Sequence, residues 1–437
     1  MTKPTYQELE IPNYVNTRPV FANLTVSDLA KASVLAPLNL LLVGDKGTGK
    51  SQLASDVYDH YFGGNKAENG QGVLIRANPD IDIYNEIFSR LNIHEAQREK
   101  TDNIDAMVYF VDELNRAPAV AQNQFFGLGD GRMDFKGRVI PLGKDDYHIL
   151  IATANLGNST FQGTFETDEA LYNRLHVALD FDYETLKPTT RDEIRINRMK
   201  EANPNVKKAH TRDISDKILE ISREIGKTSA GLGLEANAVV DYLTFGLDNC
   251  QRNMDESQTR SKGKVWPLTC QDCKYNKSGD ALCSLVRKPV PRTREATRRY
   301  AAALYHLAKI KDPNVQVDPV ELMFKAFELT GAYQFLLNPQ VLRGEKYRGQ
   351  APKMMAEVTQ RLKDDFRKNE DYILTSMSEA ERGKKVTAFF EHDGKVGKYD
   401  ELSDKAKTKI TPIKPFTDKR EIGLSYVEDV INESLGN

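Results

Sequence analysis

The stretch Leu38-Asn39-Leu40-Leu41-Leu42-Val43-Gly44-Asp45-Lys46-Gly47-Thr48-Gly49-Lys50-Ser51 decides the fold. Its first half is an apolar run of strand length, and its second half reads G-x-x-x-x-G-K-S from Gly44 to Ser51. Beyond it, Leu53, Val57 and Tyr61 recur at four-residue spacing beside Ala54 and Tyr58, and Gly63-Gly64 closes the pattern. A buried strand, a glycine-rich turn and an amphipathic helix are therefore expected in that order. In such a turn the glycines let backbone N–H groups point inward around an anion, and the helix N-terminus adds its partial positive charge. Gly44, Asp45, Lys46, Gly47, Thr48, Gly49, Lys50, Ser51 and Gln52 thus form a candidate triphosphate cradle. Lys50 would reach the β and γ phosphates of ATP, and Ser51 would ligate magnesium.

Outward from this stretch, further apolar runs occur at 72–78, 106–113, 148–155 and 177–182, with helix-length segments filling most of the gaps. Near-continuous apolar strands separated by helices imply a parallel sheet covered on both faces. The run Met107-Val108-Tyr109-Phe110-Val111-Asp112-Glu113 ends in two carboxylates. One carboxylate at the end of a buried strand can hold magnesium, and a second beside it can polarise an attacking water. Asp112 takes the first role and Glu113 the second.

From about residue 184 the strand-like runs give way to helical apolar stripes, among them Val239, Tyr242, Leu243, Gly246 and Leu247. Beyond about 337 the chain is highly charged. One amphipathic helix is expected there, with Met354, Val358, Leu362 and Phe366 each four apart, followed by a hairpin turning at Asp393-Gly394. The expected organisation is an N-terminal lead-in (1–37) with a short amphipathic segment at Val26 to Leu35, an α/β core (38–183), an all-helical domain (184–336) and a charged α+β extension (337–437).

The chain has 437 residues, 61 Lys plus Arg against 63 Asp plus Glu, and a net charge of −2, so no global charge draws it to nucleic acid or an anionic membrane. Its N-terminus has no apolar targeting segment and its longest apolar run is too short to span a bilayer, which argues for a cytoplasmic protein without membrane insertion. The seven histidines form no His-Glu-x-x-His, and no serine nucleophile elbow occurs.

The phosphate loop, "VYFVDELNRAP", "ILIATAN", "EALYNRL" and "VPRTREA" succeed one another as in AAA+ ATPases. "DELNRAP" followed by "AQNQFF" resembles the MoxR branch in particular. The resemblance covers about residues 20 to 330 and implies a P-loop NTPase core of AAA+ type, followed by a helical lid. It also implies roles for three residues. Asn155 matches the sensor-one residue that helps place the attacking water. Arg174 matches the arginine finger that acts on ATP bound by a neighbouring subunit, which requires a homo-oligomer, in this family commonly a hexameric ring. Arg292 matches the lid's sensor-two arginine, with Arg294 its competitor. Two departures stand out. The finger region reads Asn173-Arg174-Leu175 where the family has Asp-Arg-Phe. The helix after Gln122 carries Gly127, Gly129 and Gly131, each costing ~1 kcal/mol in a helix interior. That helix is expected to end early and yield to a hairpin at "RMDFKGRVIPLG".

All four cysteines, Cys250, Cys270, Cys273 and Cys283, lie in an expanded loop of the helical domain at about 250–290. Four thiolates so arranged can close a tetrahedral structural zinc site. An iron–sulfur cluster is the runner-up, and four reduced thiols the plain alternative.

The resemblance implies a chaperone-like ATPase that remodels or activates a partner protein, in this branch often one with a von Willebrand factor A domain. The competing reading is a nucleic-acid motor or a defence or replication ATPase, carried by the basic cluster Arg287, Lys288, Arg292, Arg294, Arg298 and Arg299. The balanced net charge disfavours it.

Overall fold

A computed structural model of the chain describes residues 6–92, 97–100, 103–135, 137–155, 169–197, 212–229, 232–248 and 282–416. The five apolar runs form one sheet: β1 (Leu40–Val43), β2 (Gly72–Arg76), β3 (Val108–Asp112), β4 (Ile149–Ala154) and β5 (Val177–Asp180). Its order is β5-β1-β4-β3-β2, and every pairing is parallel. Every residue of β1 and β4 is buried, as strands covered on both faces must be. The register sets Ala152 of β4 beside both Val111 of β3 and Leu41 of β1. The C-terminal ends of these three strands therefore finish side by side, where ligands bind in open α/β sheets.

Three helices accompany this sheet: α1 (Val26–Leu35), α2 (Lys50–Phe62) and α3 (Ala119–Asp130). In α2, Leu53, Val57 and Tyr61 are fully buried, matching the stripe seen in the sequence, and Gly63 ends the helix in the left-handed conformation. Helix α1 has the expected bounds but is buried on its polar side too. Asp28 and Lys31 are both enclosed, with Asp28 accepting from Lys31, Lys311 and the Tyr6 hydroxyl. Burial would raise the Asp28 carboxyl, yet Lys31 and Lys311 hold it down at about 2. An amphipathic pattern on its own could not reveal that a lysine from a distant helix closes this face.

Helix α3 corrects one expectation, for it does not stop early but runs through Gly127 and Gly129 to a left-handed Gly131. The glycines are tolerated because neighbours pack where side chains would stand. A Cβ on Gly129 would lie 2.7 Å from the Cβ of Arg174, and one on Gly127 would lie 2.9 Å from the Arg132 carbonyl. The hairpin expected after it forms, pairing Arg132–Phe135 with Arg138–Pro141.

The chain divides into two compact units. The first comprises Met1–Gly231, Glu295–Val317 and Lys325–Phe335; the second comprises Leu232–Arg294, Asp318–Phe324 and Leu336–Asn437. No strand occurs among the described residues from 190 to 331, where the helices include Ser215–Ser229, α4 (Pro291–Lys311) and α5 (Pro319–Gly331). The second unit also holds α6 (Ala351–Glu381), whose Met354, Val358, Leu362 and Phe366 are fully buried at their four-residue spacing. The hairpin Phe389–His392/Lys395–Lys398 turns through Asp393 and Gly394, both at positive φ as a two-residue hairpin loop requires. No described helix is long and apolar enough to cross a membrane.

Candidate active site

The site grows from the C-terminal ends of β1, β3 and β4. After Val43 the chain enters the glycine-rich loop, and Gly49 opens α2 at φ 93°, a left-handed conformation that glycine adopts without strain. A Cβ there would also be crowded, lying 3.1 Å from the Tyr14 ring. The lead-in is fastened to α2 close by: Asp56 accepts from the backbone N–H groups of Asn13 and Tyr14 and from the Asn13 side chain.

Lys50 is buried and folded onto its own loop. Its Nζ donates to the Gly44 carbonyl at 2.7 Å and to the Asp45 carbonyl at 2.6 Å. Burial lowers its pKa, a shift opposed chiefly by Asp182. Asp182 accepts from the Asp45 N–H at 3.0 Å, so a carboxylate beyond β5 rests against the loop.

At the end of β3, Asp112 Oδ1 accepts from Ser51 Oγ at 3.2 Å and from Thr153 Oγ1 at 2.7 Å. The next residue, Glu113, has φ 58° and ψ 46°, a left-handed conformation uncommon for a residue with a side chain. Its N–H donates to Thr153 Oγ1 at 2.9 Å, and its carboxylate pairs with Arg116 at 3.0 Å. Arg116 is exposed and Glu113 is half-exposed, so the pair contributes less than about 1 kcal/mol and does not lock the glutamate. Asn155, just past β4, is held through its backbone: its carbonyl accepts from Asn115 Nδ2 at 3.0 Å, and its N–H donates to Asn115 Oδ1 at 3.3 Å.

Residues 39–175 match the family model of the AAA domain, dynein-related subfamily. The α/β core has the AAA+ P-loop fold. Its fold is also similar to the crystal structure of a candidate ATPase from Cytophaga hutchinsonii, at 16% identity over 76% of this chain and 87% of that one, with a TM-score of 0.50. No curated protein matches the sequence.

Within this AAA+ core the structure brings Lys50, Ser51, Asp112, Glu113 and Asn155 to neighbouring strand ends. The Ser51 hydroxyl and the Asp112 carboxylate meet directly, and such hard oxygen donors fit magnesium. Bound there, the ion would offset the charge of the phosphates. Arg174 belongs to the same unit but is turned into its own chain. Two of its nitrogens lie 2.8 and 2.9 Å from Asp130 Oδ2, a third donates to the Ala170 carbonyl at 2.8 Å, and the guanidinium stands over the Phe126 ring. Below it, Asn39 Nδ2 donates to the Gly129 and Arg174 carbonyls, tying this seat to the start of β1.

Arg292 and Arg294 belong to the second unit. Arg292 is exposed on the first turn of α4, whereas Arg294 is half-buried and donates to Thr244 Oγ1 at 3.4 Å. Part of the basic cluster is neutralised locally, with Lys288 paired to Asp248 and Arg299 to Glu295. Cys250, Cys270 and Cys273 lie outside the described residues. Only the backbone of Cys283 is described, in the short helix Leu282–Leu285. Among the described residues no group of three or more His, Cys, Asp or Glu could hold a metal.

The sequence reading missed Thr153, Asn115, Asp130 and Asp182. For Thr153 a signal existed: it sits two residues before Asn155 on the same strand face, beside the strand that ends in Asp112. For Asp130 and Asp182 no local pattern announces the partner.

Proposed function

We propose that the chain is a magnesium-dependent ATPase that couples hydrolysis to remodelling or activation of a partner protein, as in the MoxR branch. The observation that carries the reading is the convergence of Ser51, Asp112 and Glu113 at the end of β3, with Thr153 linking the two carboxylate residues. In this reading Gly44 to Gln52 cradle the phosphates, Ser51 and Asp112 hold the ion, and Glu113 takes the proton of the attacking water while Asn155 helps place it. Arg174 would serve the site of a neighbouring subunit in a ring, hexameric by analogy with the family, and Arg292 would reach the nucleotide of its own subunit. A von Willebrand factor A domain is the partner class the resemblance suggests, in a cytoplasmic setting. Zinc at Cys250, Cys270, Cys273 and Cys283 belongs to the same proposal, and metal analysis of the purified protein tests it.

The central test is phosphate release from ATP with magnesium. The native chain turns over; Glu113→Gln abolishes turnover while still binding ATP, and Lys50→Ala loses both. Full activity in Glu113→Gln would sink the proposal. Pull-down with the Glu113→Gln chain, trapped with ATP, identifies the partner.

A further inference from the structure

We propose that Thr153 is the residue that positions the Asp112–Glu113 pair, an inference that rests on the ATPase reading above. Thr153 is 1% exposed, so its hydroxyl is answered from within the protein and not by bulk solvent. The direction of both its hydrogen bonds is fixed. The Glu113 N–H can only donate, so Oγ1 accepts there at 2.9 Å, and its own single proton goes to Asp112 Oδ1 at 2.7 Å. One hydroxyl thus sets the carboxylate of the ion-holding residue and the backbone of the water-polarising residue together.

The second of these bonds matters because of where Glu113 sits on the backbone map. A strand continuing past Asp112 would keep sending successive side chains to opposite faces. At φ 58° the chain instead breaks that alternation at Glu113, in a conformation that costs free energy for any residue with a Cβ and persists only where its surroundings hold it. The bond from Glu113 N–H to Thr153 is one such restraint, and it comes from β4, the strand that leads directly into Asn155. On Asp112 the same oxygen that Thr153 engages is the one Ser51 reaches at 3.2 Å, so the hydroxyl also orients the carboxylate against the residue proposed to share the ion. Thr153 touches no reacting atom and acts through its two partners.

The experiment is steady-state ATP hydrolysis by the full chain, with magnesium titrated, for Thr153→Val and Thr153→Ser. Valine keeps the β-branched shape and removes the hydroxyl. The expected result is a kcat about 10- to 100-fold lower, the range typical when an outer-shell partner of a metal ligand is lost. The KM for ATP should stay within about threefold, and half-saturation by magnesium should rise. Serine, which retains both bonds, should recover most of kcat. Native values for the valine chain, or a serine chain as impaired as the valine one, overturn the proposal. If the valine chain does not fold by circular dichroism, Thr153→Ala is read against serine in the same way. The two levels separate cleanly. A native chain that hydrolyses no ATP sinks the ATPase reading, whereas an active native chain, inactive with Glu113→Gln but indifferent to Thr153→Val, sinks this inference alone.

Discussion

The strand-end cluster and the seat of Arg174 lie in one compact unit and are built on opposite plans. At the strand ends, Ser51 and Thr153 share one Asp112 carboxylate oxygen and Thr153 also accepts from the Glu113 N–H, while the half-exposed Glu113 carboxylate is held by a weak surface pair. At the Arg174 seat the cation is already answered: Asp130, the Ala170 carbonyl and the Phe126 ring take up the guanidinium. In the first region the Glu113 carboxylate can turn to a ligand without giving up a strong internal partner. The second must release an ion pair before its arginine can act elsewhere.

The largest test of that contrast is Arg174→Ala. If Arg174 acts on a neighbouring subunit's ATP, kcat falls by about 10³-fold or more. Mixing Arg174→Ala with the equally inactive Lys50→Ala chain should then restore part of the activity, because each supplies what the other lacks. Mixtures that stay inactive would place the arginine's role within its own chain.

Next in size comes a pair of glycine substitutions. Alanine is favoured over glycine in a helix by about 1 kcal/mol. Gly226, in the helix Ser215–Ser229, has open space around a would-be Cβ, so Gly226→Ala should stabilise by roughly that amount in denaturant melts. Gly129→Ala should lose stability by about 1–3 kcal/mol, because the new methyl collides with the Arg174 side chain. Equal signs for the two would show that Gly129 is not shaped by that arginine.

Asp130→Asn keeps the shape of the seat and removes its charge. A loss of about 1 kcal/mol in unfolding free energy is expected for this partly exposed pair.

The smallest effect concerns the second unit, where burial and then Asp365 raise the Glu391 carboxyl from 4.5 to about 7. The folded state keeps a proton that the unfolded chain releases between those values, so this group's contribution to stability falls as pH rises through that window. Glu391→Gln should flatten the change in Tm between pH 5 and pH 8, while an unchanged pH profile would remove Glu391 from the account.

Much of the core is legible in the sequence because its determinants are local. The five apolar runs, the glycine-rich loop and the spacing of Leu53, Val57 and Tyr61 obey periodicities that tertiary contacts do not alter. Helix α3 defeats such a reading because propensity counts Gly127 and Gly129 as helix breakers, whereas the packing of Arg174 and Met133 needs their missing side chains. The polar face of α1 defeats it for a similar reason, since Lys311, more than 280 residues away, neutralises Asp28.

The sequence by itself determined the succession of core strands and helices along the chain, the glycine-rich loop between β1 and α2, and the placing of two carboxylates at the end of β3, since each depends on residue type at short spacing. Only the tertiary structure decided which groups hold them. Thr153 is joined to Asp112 and Glu113, Asn115 to Asn155, and Asp130 to Arg174 because the sheet order and the packing of α3 set distant strand ends and turns within hydrogen-bond reach. Hydrogen bonds act over about 3 Å, and no spacing along the chain encodes a distance of that kind between residues tens of positions apart.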